Sequence, residues 1–488
     1  MKVAIVGTGI AGNVAAYALR ENHEITVFES GSYIGGHTNT IDVYEDGRPI
    51  PVDTGFIVFN DRTYPNFIRL LDEIGQESQE SEMSFSVQAG DGALEYCGSS
   101  LNALFAQRRN IVRPAFHRMI RDILRFNKTA VSTAEDLDES VKLGEFLREN
   151  EYSKEFIDRY LVPMAAAIWS AEPVSIMDMP VSFLVRFFKN HGLLQLSHRP
   201  VWRVIKGGSR EYVRKLVAGH QDRIRLNSPV LGIRRVDDRV ELYSTSGGRE
   251  VFDYVFLACH SDQALALLQD TTREEREVLG AIRYQPNEAI LHTDASLMPT
   301  RRRAWAAWNY HIPQDPRRHV TVTYNMNILQ RFDARLQYCV TLNNDRQIDP
   351  AKIIRRVQYE HPVLSAEAVA AQQRQADLNS DRTFFCGAYW RNGFHEDGVL
   401  SAFNAVNHFN ERLADGKLHL RRASSAHAQE AGVASVQLSL VHDVPGSGRV
   451  ALDVRKALVL VDTTCRTCAI PAGQPPRARG AAAGRGGA

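Results

Sequence analysis

The chain opens with Lys2-Val3-Ala4-Ile5-Val6 and runs on through Gly7-Thr8-Gly9-Ile10-Ala11-Gly12, and this stretch decides how the rest is read. An apolar β-branched run, a Gly-x-Gly-x-x-Gly turn, an Ala-containing segment over residues 13–20 and a second apolar run, Glu24-Ile25-Thr26-Val27-Phe28-Glu29, make one strand–helix–strand unit. Gly7 allows the tight turn, Gly9 lets a pyrophosphate approach the backbone, and Gly12 lets the helix lie close to the strand. Ile10 and Ala11 begin the helix, whose free N–H groups and positive dipole end face the phosphates. Glu29 closes the second strand about twenty residues on, where a carboxylate hydrogen-bonds a ribose hydroxyl, and Ser30 follows it. The unit predicts a dinucleotide site.

The chain has 488 residues, 44% of them hydrophobic, enough for a large core and about two to four domains. With 58 Lys and Arg against 57 Asp and Glu, no global charge draws it to nucleic acid or anionic lipid. No signal peptide precedes Lys2 and no uncharged apolar run of about 18 residues is present, so a cytoplasmic location is expected. The six cysteines (Cys97, Cys259, Cys339, Cys386, Cys465 and Cys468) are scattered and read as reduced thiols. The Cys465/Cys468 pair has neither a second pair nor a histidine cluster, so no metal site is expected.

After the first unit comes Ser30-Gly31-Ser32-Tyr33-Ile34-Gly35-Gly36-His37-Thr38, a loop by its paired glycines, then Val52-Asp53-Thr54-Gly55-Phe56 and an apparent helix over residues 64–75. Together these resemble the flavin-containing amine oxidase superfamily, which includes monoamine oxidases, phytoene-type desaturases and protoporphyrinogen oxidase. The resemblance covers residues 1–420 and implies FAD as cofactor. It implies that Gly35, Gly36, His37 and Thr38 lie along the flavin, with His37 where the family commonly has Arg, and that Asp53, Thr54 and Gly55 form the next flavin-side loop. It places Val230 at the adenine. The segment Thr383-Phe384-Phe385-Cys386-Gly387-Ala388, followed by Gly393-Phe394-His395-Glu396-Asp397-Gly398-Val399-Leu400, matches the family's last flavin segment, with Gly387, Gly398, Val399 and Leu400 as contacts. A helix N-terminus there would stabilise negative charge on the reduced ring. Besides His37, two departures stand out: Ala388 replaces a common acidic residue, and no Lys occurs between Lys215 and Lys352, where amine oxidases carry one.

Residues 101–128 are basic and amphipathic, which suits either a solvated helix or a peripheral contact with anionic lipid, and Pro114 marks a kink or break. Residues 156–196 are dense in Met, Phe, Leu and Ile, mostly core, with part available to line a tunnel for a long apolar substrate. Residues 273–377 read as antiparallel strands with a helix over 350–359, and Trp305, Trp308 and Tyr310 as candidates to face substrate. Residues 421–488, rich in Ala, Arg, Gly and Ser, read as a poorly ordered extension.

The expected architecture is α/β: a Rossmann-like, amine-oxidase-type FAD-binding domain from residues 1–80, 197–268 and 378–420, with an inserted α+β substrate domain from 81–196 and 269–377. The expected function is FAD-dependent hydride removal from an apolar substrate. The resemblance of the 393–398 signature to enzymes linked with membrane-lipid modification points to a lipid acyl chain. The alternatives are a soluble amine oxidase and a non-catalytic lipid or prenyl carrier. Residue types do not single out a catalytic base: His37, His395 and Glu396 lie in loops near the cofactor, where structural work is the simpler reading.

Overall fold

Lys2–Val6 forms the centre of a five-stranded parallel sheet, and its residues from Val3 onward are buried, as a strand covered on both faces requires. Glu24–Phe28 pairs on one side and Tyr254–Leu257 on the other, while Ile224–Arg225 and Thr383–Phe385 form the edges. One neighbour of the central strand follows it at once and the other arrives far later in the chain. At that reversal a crevice opens beyond the carboxyl ends of the strands. The computed structural model describes residues 1–414 except 91, 196, 313–320, 345–346 and 380. The expected extension over 421–488, with Cys465 and Cys468, lies outside the described residues, and the other four cysteines are free thiols.

The helix Ile10–Leu19 lies on the sheet and packs against the last helix, His395–Ala414. Val14, Ala15 and Leu19 share a buried cluster with Val399, Ala402, Ala405 and Phe409. Contact is close because side chains are missing. A Cβ on Gly12 would overlap the Gly7 carbonyl oxygen, and one on Gly398 would strike the Ile10 side chain. The opposite face is covered by the hairpins Val230–Val236, Arg239–Ser244 and Gly248–Phe252.

A seven-stranded mixed sheet forms a second layer, in the order Ile353–Pro362, Tyr284–His292, Cys339–Leu342, Thr321–Asn325, Trp308–Ile312, Phe85–Ala89 and Leu94–Cys97. The helix expected over residues 350–359 is not there. A single 3-10 turn, Pro350–Lys352, leads into a strand that pairs along its length with Tyr284–His292. The β-branched Ile353, Ile354 and Val357 suit that strand, and the partner takes up backbone groups that a helix would otherwise satisfy internally. Helices Pro114–Ala134, Val162–Trp169 and Val181–Asn190 pack on this sheet, burying Phe116, Phe126, Val162, Leu184 and Phe188. Pro114 begins its helix instead of kinking one, as its absent N–H allows. No helix among the described residues is long and apolar enough to cross a membrane.

Gly12→Val is expected to cost roughly 1–3 kcal/mol or more, because backbone and not a flexible side chain opposes the new methyl groups. Thermal denaturation of the purified variant checks this, and an unchanged melting temperature would contradict the close helix–strand contact.

Candidate functional site

The carboxyl ends of Lys2–Val6 and Tyr254–Leu257, the roof strand Ile353–Pro362 and the loop before the last helix enclose a cleft of about 410 Å³. Its floor is the first turn. Gly7 takes φ of 103° and donates its N–H to the Phe28 carbonyl at 2.8 Å, reversing the chain directly above the strand. Gly9 precedes the helix and no side chain caps it, so the first helical N–H groups have no side-chain partner among the described residues. The Glu29 carboxylate accepts from Thr8 N at 3.0 Å, Thr8 Oγ1 at 2.5 Å and Gly31 N at 2.7 Å, which holds it at the turn. Gly36 lies against this turn: a Cβ on it would be 3.1 Å from Gly9 Cα.

Of the residues singled out in the sequence, Gly7, Gly9, Ile10, Ala11, Glu29, Ser30, Gly36, His37, Thr54, Gly55 and Gly387 line the cleft together. Gly12, Gly35, Thr38, Asp53, Val230, Gly398, Val399 and Leu400 stand behind or beyond that lining. Asp53 is fully buried, and its carboxylate accepts from Thr40 Oγ1 at 2.5 Å, Ser209 N at 2.9 Å and Gln330 Nε2 at 3.0 Å. Burial nevertheless pushes its pKa up to about 6. Val230 pairs with Ser244 at the bulged start of its hairpin, and Val399 is fully buried between helices. Thr54 Oγ1 meets the Tyr359 hydroxyl at 2.9 Å, tying the 53–55 loop to the roof.

The three loop candidates for acid–base work separate clearly. Glu396 accepts from Asn66 N at 3.1 Å, Asn66 Nδ2 at 2.6 Å and Phe67 N at 2.9 Å, so it caps the helix Pro65–Glu73. His395 Nε2 lies 2.9 Å from the Tyr212 hydroxyl and 3.0 Å from Thr38 Oγ1, and its ring stacks on Phe56 at 3.5 Å. Burial lowers its pKa to about 3, so the imidazole stays neutral. His37 stacks on Tyr359 at 4.7 Å and lines the cleft beside His260 and His361. His260, His361, Tyr284 and Tyr359 escaped sequence reading. They sit at strand ends and meet only through tertiary pairing, so no local spacing announces them.

Trp308 alone of the three strand aromatics faces the cleft. Tyr310 is buried in the core, and Trp305 donates its indole N–H to the Pro299 carbonyl at 2.7 Å. Among the described residues of the apolar stretch 156–196, Ile168, Trp169 and Ser170 reach the lining.

The family model for flavin containing amine oxidoreductases matches residues 10–323. The chain belongs to that family. Its cofactor is FAD, and it is an oxidoreductase of oxidase type acting on a small molecule, which removes the non-catalytic carrier. Among solved structures, cyclohexylamine oxidase from Brevibacterium oxydans IH-35A is similar at TM-score 0.61 and 16% identity, over 85% of this chain and 99% of that one. A protein from Exiguobacterium sp. 255-15 assigned as protoporphyrinogen oxidase gives TM-score 0.60 and 17% identity, over 85% and 99%. The CLA-producing fatty acid isomerase from P. acnes gives 0.59 and 16%, over 83% and 98%. No curated protein sequence matches the chain significantly.

The residues present fit FAD. The uncapped helix start, the bare backbone at Gly9 and the buried, unpartnered Nε2 of His37 make a cradle for a diphosphate. A Cβ on Gly9 would meet no protein atom within 4 Å, so the fold has room for it, while a side chain there would stand where a diphosphate approaches the backbone. Gly9→Val is therefore expected to purify without flavin while melting like the flavin-free wild type. Full flavin occupancy in that variant would show the diphosphate lies elsewhere.

Proposed function

We propose that this enzyme oxidises an apolar substrate of lipid acyl character, working against the anionic inner face of a membrane. The observation that carries the substrate class is the cluster of Ile168, Trp169, Trp308, Tyr324, Leu342 and Phe394 on the cleft lining, whose two carboxylates, Glu29 and Glu360, belong to the dinucleotide turn and the roof strand. Such a wall rewards burial of hydrocarbon and leaves a charged group unsolvated. Gly7, Gly9, Ile10, Ala11 and Glu29 would hold the dinucleotide half of FAD, and Gly36, Thr54, Gly55 and Gly387 would lie along the rest. Bound FAD supplies the hydride acceptor. The protein's own share is to orient the substrate and exclude water. The stacked, hydrogen-bonded and neutral His395 keeps that part of the wall rigid and uncharged.

One observation favours a second reading, oxidation of a small amine. Trp308 and Tyr324 meet edge to face with centroids 4.9 Å apart, and an aromatic pair attracts an ammonium group. Anaerobic mixing separates the two: fatty acids or phospholipid should bleach the flavin, and cyclohexylamine or putrescine should not. Bleaching by amines alone would sink the lipid reading. Trp169→Ala is expected to weaken apolar substrate binding by about 2–3 kcal/mol, roughly 30- to 150-fold in KM.

Membrane contact draws its support from the surface at residues 101–113. Leu101, Ile111 and Val112 are 77%, 50% and 80% exposed, and the exposed Arg108, Arg109 and Arg113 flank them. Farther along, Arg118 pairs with Glu155 at 2.6 Å and Arg125 covers the Tyr152 ring at 3.9 Å, so those cations are partly engaged. Among the described residues, Arg108, Arg109 and Arg113 hydrogen-bond only neutral oxygens, of Phe105, Asn102, Gly92, Ala93 and Asn110, and each such arginine near an anionic surface contributes about 1 kcal/mol. Reversing Arg108, Arg109 and Arg113 to Glu should weaken binding to phosphatidylserine vesicles about tenfold or more in low salt, leaving flavin content unchanged. Wild-type protein that ignores such vesicles in low salt would remove this part of the proposal.

A further inference from the structure

Three imidazoles converge on the cleft from three separate segments. His37 follows Gly36 in the loop pressed onto Gly9, His260 lies just past the strand Tyr254–Leu257, and His361 sits near the end of the roof strand Ile353–Pro362. The His37 ring centroid is 5.3 Å from that of His361 and 6.3 Å from that of His260. His37 Nε2 and His361 Nδ1 are buried with no hydrogen-bond partner among the described residues, an unstable arrangement unless something else fills the cleft. No lysine or arginine among the described residues lines the cleft.

We propose that His37, His260 and His361 form one anion-binding group for the diphosphate of FAD, and that the group takes up protons as the cofactor binds. A diphosphate brings about two negative charges, and a helix N-terminus answers roughly half of one. Among the described residues of the lining there is no other cationic side chain, so the imidazoles are the side chains able to add countercharge to that of the backbone N–H groups.

The groups facing the cluster leave it free to respond. The Glu360 carboxylate lies 3.4 Å from His260 Nδ1, and Asp262 also acts on that ring. Tyr284 stacks on His260 at 4.3 Å and Tyr359 stacks on His37, both neutral phenols whose ionisation burial pushes upward. Cys259 is held as a neutral thiol by burial, and Glu29 is engaged at Thr8 and Gly31. His395 faces His37 but is tied to Thr38 and Tyr212. Without an anion, burial first and then mutual repulsion hold His37 well below the usual histidine range. Burial and repulsion from His260 bring His361 to about 4, and burial lowers His260 against the pull of its two carboxylates.

An adjacent diphosphate raises all three. The complex then binds more protons than the free protein. Affinity is greatest at low pH, and it is lost as pH rises from the free-state values, about 4 for His361, through the higher values in the complex.

The test measures FAD affinity of the full chain by fluorescence between about pH 5.5 and 8.5, since uptake of one full proton changes affinity tenfold per pH unit. Wild type is expected to lose at least about tenfold in affinity across this range. His260→Gln and His361→Gln should each flatten the slope. His37→Arg should bind tightly with a smaller slope, because guanidinium stays charged throughout. Where a variant fails to fold, calorimetry of wild type in buffers of different ionisation enthalpy counts the protons directly. A pH-independent affinity, zero proton uptake, or a slope that survives in folded Gln variants overturns the proposal.

Discussion

Two missing methyl groups set the geometry on which the structure depends. Gly12 lets the first helix settle against the Gly7 carbonyl, and Gly398 lets the last helix settle against Ile10. Because both helices begin beside the same strand end, their N-termini converge on one cleft from different parts of the chain. A substitution at Gly12 would press the first helix against backbone, and one at Gly398 would have to displace the Ile10 side chain, since packed interiors have little slack for an added carbon. The dinucleotide cradle is thus a consequence of packing before it is a matter of ligand contacts.

Around that cradle, buried polar groups act as ties between distant segments. Asp53 joins residues 40 and 209 to Gln330, Glu396 joins the last helix to residues 66–67, and His395 joins Thr38 to Tyr212. Each tie satisfies backbone or hydroxyl donors that would otherwise be buried without partners. Removing one partner leaves the other stranded, so these ties hold segments in register more strictly than apolar contact would. One part of the cleft lining, Ile168, Trp169, Trp308, Tyr324, Leu342 and Phe394, is left to rings and aliphatic carbons.

What the sequence disclosed follows from distance along the chain. The turn Gly7–Gly12 with its flanking strands was legible because every residue of the motif lies within one local unit. The hairpin at 230–244 and the helix after Gly208 announced themselves in the same way. Residues 353–362 did not: their apolar spacing suits a helix as well as a strand, and only pairing with Tyr284–His292 decides it. Asp53 illustrates the matching failure at the site. Its place in a flavin-like loop motif suggested a cofactor contact, but Ser209 and Gln330, far away in sequence, engage its carboxylate. His260 and His361 were invisible for the same reason, since nothing near them in sequence hints that they meet His37.

The order of strands in the parallel sheet also bears on how the protein comes into being. Residues 2–28 leave the ribosome first, yet their sheet waits for Tyr254–Leu257 and then Thr383–Phe385, and the first helix lacks its packing partner until residues 395–414 emerge. At roughly 5–20 residues per second that wait is on the order of tens of seconds. Through it Val14, Ala15 and Leu19 have the strand residues Val3, Ile5, Ile25 and Val27 to bury against, but the face they share with Val399, Ala402, Ala405 and Phe409 stays open. Contacts of such long sequence separation make closure slow and expose a nascent chain to aggregation. Chains truncated before the last helix would leave the first unit with its hydrophobic stripe uncovered, a natural target for chaperones and proteases.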